Sequence, residues 1–148
     1  AGIVLPDVDV NTIASQLFAA CFHNNGQTCA ALKRLYVHES IYEEICHEMA
    51  QLAKQVTVGN GLEEGVELGP VQNAKQLQIV IDLAEDAKAC GGRFLAGGNK
   101  ISGEGYFFEP TIVADLTDGC RLVDEEPFGP IVPIINFFDL DAVFANAK

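Results

Sequence analysis

The chain has 148 residues, with 9 basic against 21 acidic side chains and a formal charge of −12. Apolar residues make up 49 % and charged residues 20 %, the balance of one globular domain rather than a disordered chain. Acidity, with no basic cluster larger than Lys33-Arg34, argues against nucleic acid or an anionic membrane as partner.

The apolar run Leu17–Phe22 is far short of the ~20 residues that cross a bilayer. The start, Ala1-Gly2-Ile3-Val4-Leu5-Pro6-Asp7, lacks a basic n-region, so no signal peptide is expected. Five cysteines, an odd number without a Cys-x-x-Cys spacing, argue against a disulfide framework and a zinc ribbon. A reducing compartment, the cytoplasm, is the expectation, and no metal site is expected.

Val10, Ile13, Ala14, Leu17, Phe18 and Cys21 recur with helical spacing. They predict a first helix over 10–23, capped by Asp7 or Asp9. Leu35-Tyr36-Val37 reads as a strand. Ser40-x-x-Glu43 reads as a capping box opening a second helix, whose stripe is Ile41, Ile45, Met49, Leu52 and Val56. A Glu/Gly-rich loop follows, to Pro70. A third helix fits 73–90, with Asn73 as cap, a buried face of Leu77, Val80, Ile81, Ala84 and Ala87, and Gly91-Gly92 as stop. Strands are predicted over 93–96, 106–108, 111–114 and 131–137, the last requiring Pro133 to occupy an unpaired amide position. Asp139 caps a final helix. Alternating strands and helices predict an α/β fold, a largely parallel sheet flanked by helices. Both ends read as cut, so the chain is expected to be part of a longer protein.

The segment Phe22-His23-Asn24-Asn25-Gly26-Gln27-Thr28-Cys29-Ala30-Ala31-Leu32-Lys33-Arg34 is the most informative. Cys29 follows a helix end and a glycine turn and precedes a strand. A loop thiol so placed can attack an electrophilic carbon, with neighbouring N–H groups holding the oxyanion. On the residues alone a cysteine that merely packs is the favoured reading. Phe22-x-Asn24-x-Gly26-Gln27-x-Cys29-x-Ala31-x-x-Arg34 resembles the active-site cysteine signature of the NAD(P)-dependent aldehyde dehydrogenase superfamily. Glu125-Glu126-Pro127-Phe128-Gly129-Pro130 resembles the family's second signature. Val58-Gly59, Gly69-Pro70, Gly97-Gly98 and Pro110-Thr111 fall at family-like places, so the resemblance runs from Asp7 to Asn146.

The resemblance implies an aldehyde dehydrogenase catalytic-domain fold, truncated. Cys29 is then the nucleophile that forms a thiohemiacetal and a thioester, its own N–H one oxyanion donor. Glu126 binds the nicotinamide ribose of NAD or NADP, and Phe128 packs near the nicotinamide. Without the resemblance, Glu125-Glu126 reads as a solvated turn. Gln76 falls where some relatives touch the adenosine ribose, and equally where a helix cap belongs. His23 is not expected to act as a base. Cys46-His47 lacks further ligands at helical spacing. Cys21 is expected in the core, and Cys90 and Cys120 lie by glycines with nothing to mark them as reactive.

The family's Glu-Leu-Gly-Gly motif, with its general base, does not occur in these 148 residues, nor does Gly-x-Gly-x-x-Gly. The expectation is a partial catalytic domain, residues 1–148, without the cofactor-binding domain that precedes it in the family and without the C-terminal end. The isolated chain is expected to be inactive. The parent is expected to be a homo-oligomer oxidising a small-molecule aldehyde. A relative that acylates coenzyme A and a non-enzymatic structural or interaction module are the alternatives.

Overall fold

The computed structural model describes residues 1–147. Five strands, β1 (Gly2–Val4), β2 (Leu35–His38), β3 (Arg93–Ala96), β4 (Thr111–Ala114) and β5 (Ile131–Phe137), form one sheet in the order β1-β2-β5-β4-β3. The pairs β1–β2, β2–β5 and β5–β4 are parallel. β3 pairs antiparallel with β4, so the sheet is mixed with a parallel centre. β1 was not expected from the sequence, because three residues are too few to show a period.

The helices are α1 (Val10–Phe22), α2 (Tyr42–Gln55), α3 (Ala74–Ala89), α4 (Arg121–Asp124) and α5 (Leu140–Asn146). Strand side chains alternate between the two faces. Leu35 and Val37, Ile112 and Ala114, and Val132 and Ile134 join one core with α1 and α2. Tyr36, Val113, Ile131, Ile135 and Phe137 join the other with α3, α4 and Val143 of α5. This double cover explains why β5 reads as a continuous apolar run. On α3 the buried face holds Leu83, with Ile81 only half-buried.

Asp9, rather than Asp7, caps α1 by accepting from Asn11 N–H. Asn73 caps α3 through Gln76 N–H, and Asp139 caps α5 through Asp141 N–H. The Ser40–Glu43 capping box does not form. His38 Nδ1 takes both the Ser40 amide and its hydroxyl, while Glu43 turns to Arg93 at 2.7 Å. A one-turn 3₁₀ segment, Glu39–Ile41, therefore precedes α2. Residues 106–108 contribute an isolated bridge, Lys100 with Phe108, and not a strand. Pro133 sits in the central strand. The Thr111 amide donates to the Pro130 carbonyl, so alternation along a parallel ladder turns residue 133 toward β2. The β2 ladder begins only at Ile134, and no amide is missed there.

Candidate active site

β2 and β5 are adjacent and parallel, so the segments that enter them meet at one end of the sheet. Those segments carry the two motifs, 97 residues apart in the chain (29 to 126). The contact between them is backbone to backbone. A Cβ on Gly26 would stand 2.2 Å from the Gly129 carbonyl oxygen, and Gly26 lies at φ +72°. Only glycine meets both demands. A Cβ on Gly129 would stand 2.4 Å from a Val80 methyl, which seats this segment against α3.

Past α1 the chain turns through Asn24 (φ 49°), Asn25 (φ 59°) and Gly26, three successive left-handed residues. Asparagine tolerates that region better than other L residues. Asn25 is 3 % exposed. Its Nδ2 donates to the Gly69 carbonyl, and its Oδ1 has no partner among the described residues. Gln27 clamps the same neighbouring loop twice, with Nε2 donating to the Pro70 carbonyl and Oε1 accepting from Gln72 N–H at 2.7 Å. The Gly-Gln step of the motif is thus a mount that fixes residues 26 and 27, from which the Thr28-Cys29 step departs.

Cys29 emerges from this mount exposed. Its N–H donates to no group among the described residues, whereas those of Gln27 and Ala31 are taken by the Asn24 and Thr28 carbonyls. Cys21 and Cys46 are buried, and desolvation pushes each thiol up to about 12. They stay protonated at neutral pH and face no solvent.

Lys33 joins the two motifs, and sequence reasoning missed it. Its ammonium donates to the Gly26 and Thr28 carbonyls at 2.6 and 2.9 Å. It stands 3.8 Å from Glu126 Oε1 and 4.5 Å from the centre of the Phe128 ring. Burial pushes the Lys33 pKa down, opposed by the charges of Glu126 and then of the cysteines. The signal in the sequence was its spacing: four residues past Cys29, on the chain entering β2. Arg34, the last motif residue, donates to the Val123 carbonyl at 3.0 Å, a third tie between the segments.

Glu126 is more than half exposed, with its carboxylate open to hydroxyl donors. Phe128 holds φ 44°, a strained region for a bulky residue that persists only where surroundings impose it. Buried Pro127 and Gly129 flank it. Gln76 donates to the Pro127 carbonyl at 2.9 Å, so this side chain holds the Glu126–Phe128 segment instead of capping α3. His23 is exposed at the end of α1. Cys120 is buried, 4 % exposed, although a glycine precedes it.

Comparisons with known proteins agree with this geometry. The model of the aldehyde dehydrogenase family matches residues 1–147. A probable aldehyde dehydrogenase of a Pseudomonas species is 39 % identical over 148 residues, all of this chain and 30 % of that protein. Aldehyde dehydrogenase, cytosolic 2, of Macroscelides proboscideus is 37 % identical over 99 % of this chain and 61 % of its own. An aldehyde dehydrogenase from Bacillus cereus, solved as an NAD+ complex, superposes with a TM-score of 0.94 at 34 % identity, covering 99 % of this chain and 30 % of that one. Aldehyde dehydrogenase C of Pseudomonas syringae, a mutant complexed with NAD+ and octanal, gives 0.93 at 29 % identity, covering 99 % and 31 %. The chain spans about 30 % of the length of the first of these relatives. No helix among the described residues is long and apolar enough to cross a membrane. With matched motifs, matched topology and a family model covering all but the last residue, the chain belongs to the aldehyde dehydrogenase family.

Proposed function

We propose that these residues form the cysteine-bearing part of the catalytic domain of an enzyme that oxidises an aldehyde to a carboxylic acid with NAD or NADP. The observation that carries the proposal is the exposed Cys29 on a fixed mount, packed against the segment bearing Glu126 and Phe128. The Cys29 thiolate attacks the aldehyde carbon. The new C–S bond forms as the carbonyl π pair moves to oxygen, giving a thiohemiacetal oxyanion. The Cys29 N–H donates to that oxygen.

The residues present fit the ribose and nicotinamide end of the cofactor. Glu126 offers an open carboxylate for two hydroxyls, and Phe128 offers an aromatic face fixed by its backbone. Two hydroxyl contacts fix orientation, and orientation is worth several kcal/mol in a bound reaction. A nicotinamide held there would supply the acceptor for the hydride, the C–H hydrogen with its bonding electron pair, that leaves the aldehyde carbon as the C=O bond re-forms. Cys29 then holds a thioester, and water releases the acid and the thiol. By the family pattern, the base for that water lies outside these 148 residues. The 148-residue chain alone is accordingly proposed to be inactive. The parent is proposed to be cytoplasmic, on the strength of the five free thiols in these 148 residues, and homo-oligomeric.

Iodoacetamide labelling with peptide mapping tests the thiol. Cys29 is modified first, ahead of Cys90, and earlier labelling of Cys90 would overturn the assignment. In the parent enzyme Cys29→Ser abolishes NADH formation, and retention of turnover would remove Cys29 from the reaction. The product identifies the acyl acceptor: carboxylic acid for water, a thioester for coenzyme A.

A further inference from the structure

The fold brings a second pair of cysteines together, far in sequence from Cys29. Cys90 ends α3, and Cys120 immediately precedes α4. Asp86, one turn before Cys90, lies between them. Cys90 Sγ stands 3.6 Å and Cys120 Sγ 3.4 Å from the same oxygen, Asp86 Oδ2. The three ligand atoms all fall within 4.8 Å of one another. We propose that Asp86, Cys90 and Cys120 bind a soft divalent cation of the zinc or cadmium class, with water completing the shell.

Geometry supports this. Tetrahedral zinc with Zn–S of about 2.3 Å and Zn–O of about 2.0 Å holds sulfur and oxygen about 3.5 Å apart. Both sulfur–oxygen edges are at that length before any ion arrives. The Asp86 carboxylate is held by the Arg121 N–H at 3.0 Å, the kind of outer contact that orients a metal ligand. The carbonyl end of α3, where Cys90 sits, favours positive charge. Nearby cations are committed: Arg121 to Glu125 at 2.6 Å and Lys88 to Glu85 at 2.8 Å. Cys90 is exposed and gives an entry path, while Cys120 is buried. Binding replaces the two S–H hydrogens by metal–sulfur bonds and releases two protons to solvent. The site ties the end of α3 to the short helix that runs directly into Glu125–Phe128.

The test is titration of the reduced, metal-free protein with cadmium chloride, read by sulfur-to-cadmium absorption in the ultraviolet. One equivalent should saturate the signal. Cys90→Ser, at an exposed position, should lower the signal by half or more, and Cys29→Ser should leave it intact. Zinc should slow alkylation of Cys90 while sparing Cys29. Absence of the absorption, its persistence in Cys90→Ser, or its loss in Cys29→Ser would each overturn the site.

Discussion

Two loops of similar composition behave in opposite ways. Asn24-Asn25-Gly26-Gln27 and Asn60-Gly61-Leu62-Glu63 are both short, polar and glycine-bearing. In the first, Asn25 and Gly26 are buried, the glycine presses on another backbone, and side chains reach carbonyls 43 and 44 residues away. In the second, Asn60 Oδ1 merely accepts from Leu62 N–H, Leu62 is 94 % exposed, and a Cβ on Gly61 meets nothing within 4 Å. Composition calls both segments turns. Only the neighbours decide which is a rigid mount and which is a connection.

Substitutions sharpen that contrast. Gly26→Ala should be the most damaging: the Cβ strikes the Gly129 carbonyl and a left-handed residue loses its freedom. Overpacking and backbone strain together predict a loss of about 2–5 kcal/mol, read by urea denaturation, with a parallel loss of Cys29 labelling selectivity. Lys33→Met comes next. It strips the Gly26 and Thr28 carbonyls of a charged donor in a half-buried place, at a cost of about 1.5–3 kcal/mol. In the parent it should also raise the KM for the cofactor, through the freed Glu126 and Phe128.

Gln27→Ala removes two hydrogen bonds to the 70–72 loop and should cost about 1–2 kcal/mol. Gly61→Ala is the counterpart at the other loop. With open space and no positive φ, it should stabilise by about 0.4–1 kcal/mol through the unfolded chain. A destabilising Gly61→Ala, or a harmless Gly26→Ala in the same denaturation series, would break the comparison.

Much of the architecture was legible in the sequence. The stripes of α1 and α3 follow one period and pack largely where that period points, whereas on α2 only Ile45 and Met49 of the expected stripe are buried, and Tyr42, Cys46, Ala50 and Ala53 complete the face in place of Ile41, Leu52 and Val56. The apolar run at 131–137 is a strand covered on both faces. What escaped the sequence depends on distant partners. The Ser40 box fails because His38, two residues earlier, captures the same groups. β3 runs against its neighbour, which no local pattern encodes. Cys29 and Glu126 were placed by motif resemblance, whereas Lys33 looked like any surface lysine. Its role needed the return of residues 126–128 to the same sheet end. Cys90 and Cys120 were unremarkable for the same reason, since 30 residues of chain separate them.

The position of β5 has a consequence for how the molecule is made. β2 and β4 are joined in the sheet only through this strand, the last of the five to leave the ribosome. Until residues 131–137 emerge, the nascent chain carries two separate open-edged ribbons, β1–β2 and β3–β4, each able to pair with a stranger. Such late, long-range closure slows folding and lengthens the exposed interval. Residues 131–137 are therefore the clasp that joins the β1–β2 and β3–β4 pairs into one sheet.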